Sequence, residues 1–373
     1  MPQATPQVIR RIAISTGGGD APGLNAVIRA VVLSAAQRGW ECYGIREGFN
    51  GILRKDCYPS DGVFRISPYM VRGIGHLGGT ILGTTNHGNP LRFAMTMPDG
   101  STQEVDRCDE IIAHLKAMGI EALICIGGDG TLTIANELHK RGLSVIGVPK
   151  TIDNDLDKTF TTFGFDTAVA FATECIDRLH STAESHQRVM VVEVMGRYAG
   201  WIALHAGIAG NAHAILIPEI AFDLDTVVKK IYERDAAGRR HTIVMVAEGA
   251  VSIHGQRDVL ESAGFGHVER LGGIGEHLAR ELQQRTGKEA RAVVLGHLLR
   301  GGSPTSFDRL SAMRFGAAAV RALDQGHSGI MVALAFPNVN YVALEEVAGR
   351  MKGVPLDGDT LQTGRDVGIC FGD

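Results

Sequence analysis

Two carboxylates stand two residues apart in the stretch PKTIDND at 149–155, which follows an apolar run. A carboxylate placed there, near a phosphate-binding loop, can take the proton from a hydroxyl group during phosphoryl transfer. A calcium loop of the DxDxDG type is excluded, because Lys158 and Gly164 occupy positions that require glycine and glutamate. Asp153 is the candidate base, and an exposed acidic turn is the plain alternative.

Two glycine-rich stretches, GGGDAPGLN at 17–25 and GGDGT at 127–131, each lie between an apolar run and a helical pattern. Glycines in that setting let backbone N–H groups turn toward an anion at the helix N-terminus. The first stretch fits neither a Rossmann fingerprint nor a P-loop, so a tight turn is an alternative for it. In the second, Asp129 could hold Mg²⁺ or could cap the helix. GGDGT resembles sugar-phosphate kinases, NAD kinases and lipid kinases alike.

Cationic side chains flank two further apolar runs, namely Arg188, Arg197, Arg291, His297 and Arg300. Guanidinium groups bind phosphate with two hydrogen bonds and stay charged at any physiological pH. Glu248 ends a third run and could accept hydrogen bonds from sugar hydroxyls. Each of these residues alone is more often a solvated surface charge. Their shared placement at the ends of apolar runs favours a site for a phosphorylated sugar.

The apolar runs lie at 12–16, 122–126, 144–148, 189–194, 242–247 and 292–295. They are apolar at consecutive positions, as buried parallel strands require, and they alternate with helical patterns. This order predicts an α/β fold with βαβ units. Because ligands of such folds bind at the carboxyl ends of the strands, we expect every motif described above to lie at that edge.

Composition limits the class of protein. A length of 373 residues suggests about two domains. The net charge of −4 argues against nucleic-acid partners and anionic membranes, and no apolar run approaches the roughly 20 residues of a membrane span. The start, MPQATPQVIRR, lacks the apolar core of a secretory signal, and the six cysteines form no CxxC pair. We therefore expect a cytoplasmic protein with reduced thiols.

Taken together, the motifs resemble the phosphofructokinase family over nearly the whole chain. The matching stretches are 18–25, 127–131, 151–155, HQR at 186–188, EVMGR at 193–197, AEG at 247–249, RAVVLGH at 291–297 and RGGSP at 300–304. The resemblance implies two similar layered α/β domains with mainly parallel sheets. It places residues 1–164 and about 299–349 in a donor-binding domain, and residues 165–298 and about 350–373 in a sugar-phosphate-binding domain.

The resemblance also implies an activity, which is transfer of a phosphoryl group from Mg-ATP to the 1-hydroxyl of fructose 6-phosphate in glycolysis. The enzyme would be a homodimer or homotetramer with shared active sites.

The resemblance further implies a role for each site residue. Asp153 would be the base, and Thr151 would lie beside the phosphoryl group. The Gly19 N–H would donate to that group, and Arg197 would stabilise its charge. The implied donor-binding residues are Gly19, Asn86, His87, Gly128, Asp129, Gly130, Thr131 and Lys150, with Asp129 binding Mg²⁺. The implied substrate-binding residues are Thr151, Ile152, Asp153, Arg188, Met195, Gly196, Arg197, Glu248, Arg291, His297 and Arg300. Of these, Arg188 and Arg291 would reach in from a neighbouring subunit.

Several residues depart from the familiar bacterial pattern of this family. Asn86 replaces an arginine near the donor phosphates, and Leu33 and His180 replace arginines of the nucleotide effector site, which predicts weak effector control. Gly130 resembles ATP-using members, whereas Lys150 resembles the pyrophosphate-using branch and some ATP-using relatives. We expect ATP as donor, with pyrophosphate as the alternative.

Two other functions fit the same motifs less well. A NAD-kinase-like protein would share GGDGT but would not need the second set of arginines. A catalytically dead nucleotide sensor would have lost Asp129 or Asp153, and this chain has both.

Overall fold

The computed structural model describes residues 9–255, 259–261 and 270–373, and all structural statements below concern those residues. The first residues of the chain, used above to argue against a secretory signal, fall outside these ranges up to position 8. The strands are β1 (Arg11–Thr16), β2 (Glu41–Ile45), β3 (Val63–Ile66), β4 (Phe93–Thr96), β5 (Thr102–Val105), β6 (Ala122–Gly127), β7 (Ser144–Pro149), β8 (Val189–Val194), β9 (Ala214–Leu216), β10 (Thr242–Ala247), β11 (Val259–Glu261), β12 (Arg270–Leu271), β13 (Ala290–Val294), β14 (Ile330–Ala335) and β15 (Asn338–Ala343). The helices are α1 (Leu24–Ala36), α2 (Asn50–Leu53), α3 (Cys108–Ala117), α4 (Asp129–Lys140), α5 (Phe165–His186), α6 (Trp201–Ala209), α7 (Leu224–Ala236), α8 (Ile274–Thr286), α9 (Ser306–Asp324), α10 (Leu344–Val347) and α11 (Asp359–Asp366).

A seven-stranded sheet has the order β15-β14-β7-β6-β1-β2-β3. Its five inner strands run parallel, and the two edge strands pair antiparallel with their neighbours. β1, β6 and β7 are buried at every position after the first residue of β1 and of β7, and they are mostly apolar, because helices cover both faces of the sheet. One core lies between the sheet and α1 with α9, and the other lies between the sheet and α3 with α4.

A smaller sheet has the order β13-β8-β10-β9, and all four strands run parallel. α5 and α6 pack on one face of it, and α7 and α8 pack on the other. The prediction of an α/β fold built on two mainly parallel sheets is confirmed. Two short antiparallel ribbons, β4-β5 and β11-β12, complete the strands.

The last predicted strand begins earlier than the sequence suggested. The apolar run starts at position 292, but β13 begins at Ala290, because Ala290 and Arg291 pair in register with Val189 and Met190 of β8. Arg291 therefore lies within the strand. Backbone pairing with a neighbouring strand decided this boundary, whereas the apolar run marked only the residues that follow Arg291.

We propose that the two sheets mark two domains, residues 1–164 with about 299–349 and residues 165–298 with about 350–373. The larger sheet takes β14 and β15 from the late part of the chain, and Cys370 forms a parallel bridge to Ala214 of the smaller sheet. Within the described ranges, no helix is both long enough and apolar enough to cross a membrane.

Candidate active site

The two glycine-rich loops are joined at the carboxyl edge of the larger sheet. The Gly17 N–H donates to the carbonyl oxygen of Ile126 (3.0 Å), and the Gly18 N–H donates to that of Thr85 (3.1 Å). A Cβ atom on Gly17 would lie 2.6 Å from Oγ1 of the buried Thr131, so only glycine allows this approach. The Gly19 loop and the GGDGT loop thus form one surface.

The GGDGT loop leads directly into α4, whose first residue is Asp129. One carboxylate oxygen of Asp129 accepts a hydrogen bond from the Gly349 N–H (2.7 Å). Gly130 is exposed, and a Cβ atom added to it would meet no atom of the described residues within 4 Å. Open space therefore lies beside the proposed metal ligand.

Lys150 lies beneath the first loop with only 3% of its surface exposed, and its ammonium group donates to the carbonyl oxygen of Gly19. Burial, and next the positive charge of Arg300, lower the pKa of Lys150 to about 7. The Arg300 guanidinium group donates to the carbonyl oxygen of Asp20 (3.1 Å). Hydrogen bonds from the side chains of Lys150 and Arg300 therefore hold the turn at Gly19 and Asp20.

Asp153 lies between these loops and the smaller sheet. Its N–H donates to Oγ1 of Thr151 (3.1 Å), while its buried Oδ1 has no hydrogen-bond partner among the described residues. Burial, followed by the negative charge of Asp155, raises the pKa of the Asp153 carboxyl group. Such a group is suited to accept a proton near neutral pH.

Four of the predicted sugar-binding residues follow two adjacent strand ends of the smaller sheet, namely Met195, Gly196, Arg197 and Glu248. Val194 of β8 pairs with Ala247 of β10, and the Glu248 N–H donates to the carbonyl oxygen of Val194 (2.9 Å). Burial raises the pKa of Glu248, and the nearby charge of Arg197 opposes this rise. Arg197 and Glu248 both act electrostatically on Asp153, as does Arg300, so the two strand ends and the Asp153 loop border one site.

Arg188 and Arg291 are not at this site, and the expectation that every motif lies at the carboxyl edge is wrong for both. Arg188 immediately precedes β8, and Arg291 is paired with Met190 near the start of that strand. Six residues of extended chain, roughly 20 Å at about 3.3 Å per residue, separate Arg188 from the Arg197 end. Both arginines instead form ion pairs with Glu289, at 2.6 and 2.5 Å. Within one chain they cannot act with Arg197.

The other predicted residues differ in exposure. Asn86, His87 and His297 are exposed, whereas Met195 and Gly196 border the Arg197 turn. Ile152 is fully buried in the core between α5 and the smaller sheet. Its side chain therefore cannot bind a substrate, and only its backbone could. The residue lies in the predicted motif because it anchors the loop that carries Asp153.

Magnesium ions in proteins take oxygen ligands, often one or two carboxylates together with phosphates and water. Burial raises the pKa of Asp155, and the negative charge of Asp129 adds to this rise, so the two carboxylates lie near each other at the donor loop. Among the described residues no group of three or more His, Cys, Asp or Glu side chains is arranged to hold a metal ion. The two carboxylates, Asp129 and Asp155, therefore fit a cation that is bound jointly with substrate phosphates.

Sequence reasoning missed Lys352, a lysine partly buried at the Asp153 loop. Its ammonium group donates to Oδ1 of Asn154 (3.1 Å). The two residues are 198 positions apart, and the segment around Lys352 matches none of the motifs above. No local signal in the sequence indicates this contact.

A second cavity, of about 930 Å³, lies at the amino edge of the smaller sheet and is lined by Lys230, Arg234, Arg239, Arg240, His213 and His241 among others. The rings of His213 and His241 lie 5.8 Å from that of His180. Lys230 and the three arginines supply positive charge to this cavity that Leu33 and His180 alone do not indicate. The expectation of weak effector control stays a prediction.

Comparisons with known proteins agree with this arrangement. The family model described as Phosphofructokinase matches residues 11–323. An ATP-dependent 6-phosphofructokinase of Chloroflexus aggregans is 50% identical over 98% of this chain and 98% of its own length. A pyrophosphate–fructose 6-phosphate 1-phosphotransferase of Amycolatopsis mediterranei is also 50% identical, over 93% of this chain and 97% of its own length.

The crystal structure of Pichia pastoris phosphofructokinase in the T-state superimposes with a TM-score of 0.77 at 30% identity. It covers 93% of this chain, and this chain spans 36% of that longer protein. The matches in sequence and in structure cover nearly all of the chain. The protein belongs to the phosphofructokinase family.

Proposed function

We propose that this protein is a 6-phosphofructokinase, which transfers a phosphoryl group to the 1-hydroxyl of fructose 6-phosphate with Mg-ATP as donor. The observation that carries the proposal is the buried, unpartnered Oδ1 of Asp153, held between the two glycine loops and the Arg197 and Glu248 strand ends. A carboxylate in that position can accept the proton of an attacking hydroxyl group. The proposed reaction of this protein is a step of glycolysis.

Each side of the site has a proposed task. Asp153 takes the proton from the sugar hydroxyl, and Thr151 orients the Asp153 backbone beside the phosphoryl group. The Gly19 N–H donates to that group and Arg197 stabilises its charge, which are the main means of catalysis in phosphoryl transfer. Met195, Gly196 and Glu248 form the sugar-facing wall, and His297 with Arg300 binds the 6-phosphate.

The donor is bound at the joined glycine loops. Gly128, Asp129, Gly130 and Thr131 form the floor for the donor phosphates, and Asn86 and His87 border them. Asp129 would hold Mg²⁺ together with the phosphates, and the cation would neutralise their charge. Lys150, held on the Gly19 carbonyl oxygen, would in its protonated form supply positive charge that offsets the arginine replaced by Asn86.

ATP is the favoured donor, although relatives at 50% identity carry both donors in their names. Excluding ATP requires an obstacle beside the donor phosphates, and the open space at Gly130 offers none. Lys150 adds attraction for any phosphate, so it does not discriminate against the larger donor.

The first prediction concerns initial rates with ATP, ADP and pyrophosphate, each with fructose 6-phosphate and saturating Mg²⁺. We expect the highest kcat/KM with ATP, because the site leaves room for an α-phosphate and a nucleoside. Formation of fructose 1,6-bisphosphate is the measurement, and mixtures without Mg²⁺ are the control. Turnover with pyrophosphate but not with ATP would overturn the proposed donor. If none of the three donors supports turnover, the proposed function is wrong.

We propose further that active sites are shared between subunits of a homodimer or homotetramer. The support is the position of Arg188 and Arg291 at the amino edge of the smaller sheet, away from their own chain's site. Glu289 holds both guanidinium groups at one place, so they could bind one phosphate of a neighbouring subunit's sugar.

The second prediction is recovery of activity in mixtures. Asp153→Asn and Arg188→Ala protomers, each nearly inactive alone, should regain a measurable part of the parent rate after subunits exchange. The reason is that some mixed sites receive an intact Asp153 from one chain and an intact Arg188 from another. Mixtures kept from exchanging serve as the control. A fully active monomer, or exchange without recovery, contradicts shared sites.

The cytoplasm is the proposed location. The described cysteines are all free, as expected in a reducing compartment. Fructose 6-phosphate and ATP are the proposed small-molecule partners, with no role for nucleic acid or membranes.

A further inference from the structure

The segment 349–354, which we call the strap, links α10 to the C-terminal part of the chain and passes beside the active site. Its first residue donates the Gly349 N–H to Asp129. Met351 then forms an antiparallel bridge with Leu156, and the Lys352 N–H donates to the carbonyl oxygen of Asp155 (2.8 Å). The strap therefore binds both the proposed metal ligand and the loop of the proposed base.

The Lys352 ammonium group makes three hydrogen bonds to that loop. It donates to Oδ1 of Asn154 (3.1 Å) and to the carbonyl oxygens of Thr159 (3.0 Å) and Phe160 (3.2 Å). These three acceptors match its three protons. Burial lowers the pKa of Lys352 to about 8, so the group is still mostly charged near pH 7.

Asn154 is the residue that turns the chain between the two carboxylates. Its φ of 53° is left-handed, a conformation that asparagine tolerates better than most residues. Its Oδ1 also accepts the Thr162 N–H (3.3 Å). Lys352 therefore holds Asn154, the residue that follows Asp153, in this conformation.

The other side of the strap is attached to the loop that carries Arg197. The Trp201 indole N–H donates to the carbonyl oxygen of Lys352 (3.0 Å). The Val354 N–H donates to Glu219 (2.8 Å), whose carboxylate also accepts the Gly200 N–H (3.1 Å). Gly200 and Trp201 directly follow the Arg197 turn and begin α6. The strap thus joins the loop that carries Asp153 to the loop that carries Arg197.

We propose that Lys352 is a positioning residue for phosphoryl transfer, and that through the strap it sets the separation of the Asp153 loop from the Arg197 loop. The inference rests on the proposed function, because it concerns the alignment of those two loops on a sugar phosphate. Neither Lys352 nor Trp201 is among the residues proposed to touch a substrate. Their effect should appear in the chemical step, whereas the binding of the sugar should change little.

The test compares Lys352→Met, Trp201→Phe and the control Lys116→Met with the parent. Methionine keeps the apolar stem of lysine but donates no hydrogen bond, and phenylalanine removes only the indole donor among polar groups. Lys116 is exposed on α3, away from the site. Misplacement of a reacting group by about 1 Å can cost about 10²-fold in rate. We expect Lys352→Met to lower kcat about 10²-fold and Trp201→Phe to lower it by a smaller factor.

The KM for fructose 6-phosphate, and its affinity measured by calorimetry without donor, should stay within about threefold of the parent. The control should match the parent in every measurement. A parent without activity would overturn the proposed function alone. With an active parent, the inference fails if Lys352→Met keeps kcat within threefold, or if it loses sugar affinity in proportion to kcat. If Lys352→Met does not fold, Trp201→Phe decides, and an unchanged kcat in that variant overturns the inference.

Discussion

Replacing Asp153 with asparagine is expected to lower kcat about 10²–10⁴-fold, the usual contribution of a general base. Asparagine has nearly the same shape, and the hydrogen bond from the backbone N–H of residue 153 to Thr151 does not involve the side chain. The Oδ1 atom has no partner among the described residues to lose. Folding and affinity for fructose 6-phosphate should therefore remain close to those of the parent.

The pH dependence provides a second measurement for the same variant. Because the pKa of Asp153 is raised, the carboxyl group gains a proton as pH falls through a value above the ordinary carboxyl range. The kcat/KM of the parent should decline on that acid side, and the residual activity of Asp153→Asn should lack this decline. Asp357→Asn, at an exposed position, is the matched control. A variant within threefold of the parent kcat would show that another group takes the proton.

Gly130→Asp is expected to depress the use of ATP far more than the use of pyrophosphate. The added carboxylate would stand beside the path of the donor α-phosphate, which pyrophosphate lacks. Two like charges about 4 Å apart repel by about 4 kcal/mol at an effective dielectric near 20. This corresponds to roughly a 10³-fold loss in kcat/KM for ATP.

The fold should tolerate this change. A Cβ atom at position 130 meets no described atom within 4 Å, and an acidic residue in the first turn of α4 is favourable toward the helix dipole. Gly130→Ala separates the effect of bulk from that of charge, and it should retain most ATP activity. Both donors are compared at equal, saturating Mg²⁺. Equal losses with ATP and pyrophosphate would contradict a role for position 130 in donor choice.

The amino-acid sequence by itself determined the local chemistry of this protein. The glycines at 17–19 and at 127, 128 and 130 lie at or just after the ends of two strands, and Asp153 follows a third strand after three further residues. Strand, turn and functional group are therefore encoded by residues close together in the chain. Burial on both faces requires apolar side chains at consecutive positions, and that pattern predicted the central strands of both sheets. The resemblance to the phosphofructokinase family rests on the same local motifs.

The tertiary structure decided what depends on residues far apart in the chain. Strand register placed Arg188 and Arg291 at the amino edge, opposite Arg197, because all strands of the smaller sheet run parallel. Packing buries Ile152 in the core, although the sequence made it a candidate substrate-binding residue. Burial also raises the pKa of the Asp153 carboxyl group. The bond from Lys352 to Asn154 exists only because the strap returns to the Asp153 loop after 198 residues. Desolvation and hydrogen bonding depend on such packing, which no local pattern in the sequence encodes.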